Sequence, residues 1–227
     1  MTKKELAKSA HVANIRIAGG TATPEDLKAR HVANIRAAGG FQPLPVKKYG
    51  VIYADPPWQY GSSTPPKDTG VRQAHYPTVS LADLKRLPVK NISDKNCLLY
   101  LWVTGPLLAE AIELGGVWGF KYRQVAFVWH KQNAVVGNYS MTSCEYVLVF
   151  KRGNRPLPRD QISLTPQFLQ AKASRHSAKP LEIKRRIDEG WPGVAKIELF
   201  ARPAKGQLLP DNSEGWDFWG NEVPTSV

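Results

Sequence analysis

Cysteine is scarce in this sequence, with two residues, Cys97 and Cys144, among 227. Each lies within or beside an apolar run that resembles a strand, and no Cys or His pattern has the spacing of a zinc site. The sequence therefore gives no support to a disulfide framework or a structural zinc ion. We expect two free thiols in a reducing cytoplasm and no metal site.

Long hydrophobic runs are also missing. No run of about 18 apolar residues occurs, so we expect no membrane span. The N-terminal residues Met1 to Glu5 are followed by no apolar segment, so we expect no secretion signal. The sequence has neither a Gly-x-Gly-x-x-Gly run nor a Walker A loop, and nicotinamide and nucleoside triphosphate chemistry are therefore unsupported.

Acidic residues are few relative to basic ones: 19 Asp and Glu stand against 31 Lys and Arg, a net charge of +12. For a small domain this excess favours a polyanionic partner, most often nucleic acid, although ribosomal and merely soluble basic proteins share it. Most of the excess lies between Lys151 and Arg186. Within it, Lys184-Arg185-Arg186 fits a solvated helix face, whereas the cluster from Lys151 to Arg159 follows a strand in a Pro/Gly-rich loop and suggests phosphate contacts.

A repeat occupies the first 40 residues, where His11 to Gly20 recurs as His31 to Gly40. A helix-start signal precedes each copy and Gly-Gly ends it, which predicts two short helices in tandem. We expect residues 1–40 to form this helical extension and residues 41–227 to form one domain. The repeat either contacts phosphates or a partner, or is a duplicated extension without a defined role, and two copies are too few for a solenoid.

Apolar runs and helical patterns alternate after Phe41, which predicts an α/β fold with a mostly parallel sheet covered by helices. The predicted strands span residues 51–54, 97–103, 124–129, 145–150 and 195–200. The predicted helices start at Ser80, where Asp83 would complete a capping box, at Pro106, with a stop at Gly115-Gly116, and at Pro180, with a stop at Gly190.

The first strand ends in an unusual way, because Val51 to Ala54 runs directly into Asp55-Pro56-Pro57-Trp58. Two prolines can continue neither a sheet nor a helix, so they hold the carboxylate and the indole at the carboxyl edge of the strand. Ligands bind at that edge in open α/β sheets. A plain strand-to-loop turn, with Trp58 as a partly buried anchor, is the alternative. The polar loop that continues to about His75 has a length typical of lids and binding loops.

Such a turn can hold an exocyclic amine. The Asp55 carboxylate and the Pro56 carbonyl offer two acceptors, and Trp58 offers a flat face for a base removed from its stack. Two acceptors favour a pyramidal nitrogen whose lone pair points at an electrophile, and orientation at attack distance supplies much of the acceleration. A methyl group on a sulfonium is such an electrophile, and its transfer needs no metal.

From about Tyr49 to Val223 the chain resembles the adenine-N6 methyltransferases of the DPPW type, a family with mRNA-methylating and DNA-methylating branches. Besides Asp55-Pro56-Pro57-Trp58, the resemblance lies in Tyr76-Pro77-Thr78, Leu101 to Thr104, Phe127 to Lys131, Glu145 to Arg152, His176 to Pro180, Ile197 to Pro203 and Trp219 to Glu222. It implies a permuted Rossmann-like methyltransferase sheet with helices on both faces. It also implies S-adenosylmethionine as the methyl donor.

The resemblance assigns roles to individual residues. The catalytic residues that it implies are Asp55, Pro56, Pro57 and Trp58. The cofactor-binding residues that it implies are Asp55, Lys179, Glu198, Leu199, Phe200, Arg202, Asn221 and Glu222. For the substrate we expect Tyr60 and Tyr76 around the base, and Lys151, Arg152, Arg155, Arg159 and Arg175 on phosphates. The mRNA branch has His-Asn where Ala204-Lys205 stand here, so one set of ribose contacts is replaced or absent.

The activity implied is methylation of the N6 amine of adenine. DNA is favoured over RNA because the chain is compact and adds no RNA-binding module. N4-cytosine methylation is a rival, although enzymes of that kind more often carry Ser in place of Asp55. A catalytically silent nucleic-acid-binding subunit is a second rival, against which the retained Asp55 and Trp58 argue. The sequence does not decide whether the protein is a monomer or a homodimer.

Overall fold

The structure, a computed structural model, describes residues 41–60, 78–136, 139–154, 164–172, 179–202 and 214–220. The predicted helical extension over residues 1–40 lies outside these ranges. Cys97 and Cys144 are both free thiols, as expected. Within the described ranges, no helix has the length and apolar character needed to cross a membrane.

One mixed sheet of seven strands forms the centre of the described structure. Its strands are β1 (Tyr49–Ala54), β2 (Ser93–Thr104), β3 (Lys121–Val136), β4 (Met141–Arg152), β5 (Phe168–Gln170), β6 (Lys196–Leu199) and β7 (Trp216–Trp219). Their order is β5-β3-β4-β2-β1-β6-β7. Only β4 runs antiparallel to its neighbours β2 and β3 among these strands. The predicted α/β sheet is confirmed as mostly parallel, and β5 and β7 are strands that the sequence pattern did not predict.

Three α-helices accompany the sheet in the described residues: α1 (Leu81–Arg86), α2 (Leu108–Val117) and α3 (Leu181–Gly190). Short 3-10 turns span Val89–Asn91 and Gly105–Leu107. The predicted cap of α1 is confirmed, because the Ser80 hydroxyl accepts from the Asp83 backbone N–H at 3.1 Å and donates to its carboxylate at 2.6 Å. Pro180 is the N-cap of α3 rather than its first residue.

The helices cover both faces of the sheet, as predicted. On one face, Ile52 of β1 packs in a cluster with Leu84 of α1 and Leu114 of α2. On the other face, Val51 shares a cluster with Ile183 of α3. Successive strand residues point to opposite faces, so a strand buried on both sides is apolar at every position. This burial explains why β1 and the part of β2 from Cys97 to Val103 are apolar runs in the sequence.

The strand order reverses between β1 and β6. From β1 the chain passes through α1 to β2, its neighbour on one side, whereas α3 leads into β6, its neighbour on the other side. The crevice outside the carboxyl ends of strands at such a switch point is where open α/β sheets bind ligands. Asp55 follows β1 at this crevice, and Phe200 to Arg202 follow β6.

Gly115 and Gly116 do not end α2, contrary to the sequence prediction. The helix continues to Val117, and the chain turns at Gly119 with a φ of +90°. A Cβ atom on Gly115 would lie 2.2 Å from the ring of Phe150 on β4, whereas one on Gly116 would have no heavy atom within 4 Å. Gly115 therefore permits a close approach between the helix and the sheet.

Replacing these two glycines should have opposite effects on stability. Gly115→Ala should lower the free energy of unfolding by about 1–3 kcal/mol, because the new Cβ must displace the Phe150 ring. Gly116→Ala should raise it by about 0.5–1 kcal/mol, because alanine is the better helix former in open space. Urea denaturation of both variants measures the difference, and equal effects would contradict the packing argument.

Candidate active site

Asp55 lies between two cations at the switch point of the sheet. Its Oδ2 atom is 3.0 Å from Lys179 Nζ and 3.1 Å from Arg202 Nη2. Lys179 stands immediately before the N-cap of α3, and Arg202 follows β6. The carboxylate is 16% exposed, so both ion pairs are shielded from water. Three residues that the sequence analysis assigned to one site are thus in direct contact.

Two further charged residues extend this cluster. Lys179 Nζ lies 3.3 Å from Glu145 Oε2, and Lys131 Nζ lies 2.9 Å from Glu145 Oε1. Positive and negative groups therefore alternate from Arg202 through Asp55, Lys179 and Glu145 to Lys131. Glu145 and Lys131 were not among the site residues predicted from the sequence. An acid at the first position of a predicted apolar strand was the signal that could have identified Glu145.

The ammonium of Lys179 is stabilised in its charged form. Burial alone lowers its pKa, but the carboxylates of Asp55 and Glu145 outweigh this effect and raise the pKa above its ordinary value. The Nζ atom also lies 5.3 Å from the centroid of the Trp102 ring, a cation–π distance. Lys179 therefore carries a positive charge throughout the physiological pH range.

The turn after Asp55 keeps acceptor capacity for an incoming donor. Both described ion pairs of Asp55 fall on Oδ2, so Oδ1 can accept from a further group. The Pro56 carbonyl accepts from the Trp58 N–H at 2.8 Å and retains a second lone pair. The Pro57 carbonyl accepts from the Val79 N–H at 2.8 Å, which ties the turn to the start of α1.

Trp58 does not present a flat face to solvent, which corrects the expectation that it stacks on a base. The residue is 7% exposed and packs in the core. Its Nε1 donates to the Trp102 carbonyl at 2.9 Å, and Trp102 Nε1 donates in turn to the Tyr53 hydroxyl at 2.6 Å. A buried indole is held by such a bond, so Trp58 anchors the turn, as the alternative interpretation has it.

Tyr60 is the exposed aromatic residue of this turn. It is 56% exposed, and its hydroxyl lies 2.9 Å from Thr104 Oγ1 at the end of β2. Burial of the hydroxyl raises its pKa, which keeps the group neutral. Tyr60 is thus an exposed ring in the turn that follows Asp55, and its place around the base stays a prediction.

The residues at the end of β6 have distinct surroundings. Glu198 Oε2 lies 2.8 Å from Lys184 Nζ of α3, and burial raises the pKa of this carboxyl while Lys184 opposes the rise. Leu199 contributes its side chain to the core, so a ligand at the edge would contact its backbone. Phe200 has a φ of +62°, a conformation that is uncommon outside glycine and clusters at functional sites.

β7 supports the strained backbone at Phe200. The Trp219 carbonyl accepts from the Ala201 N–H at 3.0 Å, and the Phe200 and Trp219 rings meet edge to face with centroids 5.4 Å apart. A Cβ atom on Gly220 would lie 2.6 Å from the Ala201 carbonyl oxygen. Gly220 thus allows the ends of β6 and β7 to approach closely just before the predicted ligands Asn221 and Glu222.

Lys151 and Arg152 do not lie at this edge of the sheet. They pair with Leu98 and Cys97 in the first half of β2, and Arg152 Nη1 donates to the Lys90 carbonyl at 3.0 Å. They lie away from Asp55 because β4 is antiparallel to β2 and its carboxyl end points to the opposite edge of the sheet. Their role in phosphate binding stays a prediction.

Several predicted site residues lie outside the described ranges. They are Tyr76, Arg155, Arg159, Arg175, Asn221 and Glu222, together with the divergent pair Ala204-Lys205. Their assignments stay predictions.

Comparison with known proteins identifies relatives over most of this chain. The MT-A70 family model matches residues 49–222. The chain is 40% identical over 199 residues to the Type II methyltransferase M.MunI of Mycoplasma sp., which covers 81% of this chain and 82% of that protein. It is 30% identical over 184 residues to the human N(6)-adenosine-methyltransferase catalytic subunit METTL3, covering 78% of this chain but 28% of METTL3. The N(6)-adenosine-methyltransferase MT-A70-like protein of Arabidopsis thaliana is 27% identical over 183 residues, 24% of its length.

The anchoring role of Trp58 can be tested by stability. Trp58→Phe should lower the free energy of unfolding by about 1–3 kcal/mol, because it leaves the buried Trp102 carbonyl without its indole donor. Tyr60→Phe removes a hydroxyl from an exposed residue and should change stability by less than about 0.5 kcal/mol. Denaturant titration compares the two variants. A Trp58→Phe protein as stable as the wild type would contradict the anchor.

Proposed function

The chain belongs to the MT-A70 family of adenine-N6 methyltransferases, and from this premise we propose that it takes a methyl group from S-adenosylmethionine and delivers it to adenine in DNA. The observation that carries the proposal is the Asp55 carboxylate, held by Lys179 and Arg202 at the switch point of the sheet. The rigid turn places a second acceptor, the Pro56 carbonyl, one residue away. This pair of acceptors suits an exocyclic amine.

Holding the amine is the chemical task of the turn. The N6 nitrogen of adenine is a weak nucleophile because its lone pair is delocalised into the ring. Hydrogen bonds to Asp55 Oδ1 and to the Pro56 carbonyl would favour a pyramidal nitrogen and aim its lone pair out of the ring plane. The bond to Asp55 also gives the amine a path for losing a proton once the nitrogen–carbon bond forms. Lys179 and Arg202 keep the carboxylate in place throughout.

The residues around the crevice fit S-adenosylmethionine, which when bound supplies an electrophilic methyl group on a sulfonium. The start of α3 and the ammonium of Lys179 suit the carboxylate of the amino-acid part of this molecule. Glu198, near the end of β6, suits ribose hydroxyls as a hydrogen-bond acceptor. We assign cofactor binding to these residues, to Asp55 and Arg202, to the backbone of Leu199 and Phe200, and to the predicted ligands Asn221 and Glu222.

DNA is the substrate that we propose. M.MunI, a relative matched over 82% of its own length, is a Type II methyltransferase. The chain spans only 28% of the length of human METTL3, an N(6)-adenosine-methyltransferase. A net charge of +12 suits either nucleic acid. We keep Arg155, Arg159 and Arg175 as the phosphate contacts and Tyr60 and Tyr76 as the residues around the base.

The identity of the product tests the proposal directly. The protein is incubated with tritium-methyl S-adenosylmethionine and either DNA or RNA, and the nucleic acid is digested for mass spectrometry of its nucleosides. We expect N6-methyl-2′-deoxyadenosine. N4-methyl-2′-deoxycytidine would contradict the assignment of adenine, and methylation confined to RNA would contradict the assignment of DNA.

Asp55→Asn should reduce methyl transfer at least about 10²- to 10³-fold, because it replaces a charged acceptor with a neutral amide. The fold should persist, since the side chain keeps its shape. Asp94→Asn is the matched control. Asp94 is exposed near the start of β2, at the opposite edge of the sheet from Asp55, so its substitution should leave the rate unchanged. Transfer of labelled methyl groups to DNA measures both variants. An Asp55→Asn enzyme with wild-type activity would contradict the role of the carboxylate.

A further inference from the structure

Lys184 is buried between α3 and β6, although its sequence context predicts a solvated helix face. It precedes the exposed Arg185, yet its own side chain is 4% exposed. Its Nζ atom lies 2.8 Å from Glu198 Oε2. A buried ammonium is costly unless it is paired and hydrogen-bonded, so Lys184 depends on this partner. Glu198 depends on Lys184 in turn, because the ammonium opposes the effect of burial on the carboxyl group.

Two aromatic rings of β7 complete the surroundings of the Lys184 ammonium. Nζ lies 4.5 Å from the centroid of the Phe218 ring and 5.0 Å from that of Trp216. Cation–π attraction of this kind strengthens in a desolvated site. Phe218 is also the register partner of Glu198 on the neighbouring strand. The rings and the carboxylate therefore hold the ammonium in one position.

Glu198 lies one residue before the end of β6, near the carboxyl edge of the sheet. Its register partner on β1 is Tyr53, which belongs to the cluster on the α3 face. Burial raises the pKa of the Glu198 carboxyl, and the charge of Asp55 adds to the rise, whereas Lys184 and Arg202 oppose it. The charge of Lys184 thus favours the carboxylate at a position where burial favours the neutral acid.

We propose that Lys184 is a positioning residue for the methyl donor: it keeps Glu198 in the form and orientation that accept hydrogen bonds from the two ribose hydroxyls. The contact with Lys184 uses Oε2, and the carboxylate has further lone pairs with which to accept from a diol. This inference rests on the proposed function, because it takes S-adenosylmethionine as the ligand of the crevice. Lys184 itself acts through Glu198.

The experiment compares two ligands that differ only in the diol. Isothermal titration calorimetry measures the binding of S-adenosylhomocysteine and of its 2′,3′-dideoxy analogue to wild-type protein and to Lys184→Met. The variant should bind S-adenosylhomocysteine about 10- to 100-fold more weakly, because it loses the charge that orients Glu198. Its affinity for the analogue should change less than about twofold. Equal losses for both ligands would show a merely structural role and overturn the proposal.

Lys196→Met is the matched control. Lys196 lies two residues earlier on β6, is 5% exposed and pairs with Asp188 of α3 at 3.1 Å. Its substitution also removes an ion pair of a buried lysine between the same two elements, but at the far end of the strand. It should lower the melting temperature while leaving both affinities within about twofold of the wild type. A loss of S-adenosylhomocysteine affinity in Lys196→Met equal to that in Lys184→Met would overturn the proposal.

Two further measurements separate the possible failures. If Lys184→Met does not fold, Lys184→Gln keeps a donor for Glu198 and loses the charge, and it should show the same selective loss for S-adenosylhomocysteine. Wild-type protein that binds neither ligand would overturn the proposed cofactor and this inference with it. Wild-type protein that binds S-adenosylhomocysteine, with a Lys184→Met variant of the same affinity, would overturn the role of Lys184 alone.

Discussion

The Asp55 carboxylate, shared between Lys179 and Arg202, is the interaction on which the site depends. It joins three parts of the chain: the end of β1, the start of α3 and the end of β6. Without the carboxylate, two cations would face each other in a shielded crevice, with Glu145 as the described counter-charge of Lys179. The same group therefore neutralises the site and offers the acceptor for an amine. This double use explains why a short motif carries so much of the function.

The local parts of the fold could be predicted from sequence, and the pairings could not. Neighbouring residues alone are enough to predict the Ser80 cap, the start of α3 after Pro180 and the buried apolar runs of β1 and β2. The reversal of β4 was hidden, because β3 and β4 extend into polar sequence as far as Val136 and Met141. The predicted ends, at residues 129 and 145, left room for a crossover. The actual connection is too short for a crossover between parallel strands, so β3 and β4 form an antiparallel hairpin.

The site shows the same division between local and non-local information. Asp55 could be found from its own turn, and the resemblance supplied Lys179 and Arg202. The error at Trp58 has a physical cause: an indole beside an acid suggests a stacking surface, whereas its partner is the Trp102 carbonyl, 44 residues away. The distribution of charge along the sequence places Lys151 and Arg152 in a basic segment, but it does not show at which edge of the sheet they lie. Their position depends on the direction of β4, which cannot be read from composition.

Charged groups and aromatic rings have different roles at this edge of the sheet. The charged groups meet the ligand, while the rings fix the backbone that carries them. Phe200, with its φ of +62°, keeps a costly conformation because Phe41 and Trp219 pack against its ring and the Trp219 carbonyl accepts from the next N–H. That conformation directs the chain after β6 so that Arg202 reaches Asp55. The strain at Phe200 is thus the structural cost of bringing a cation from β6 to the carboxylate of β1.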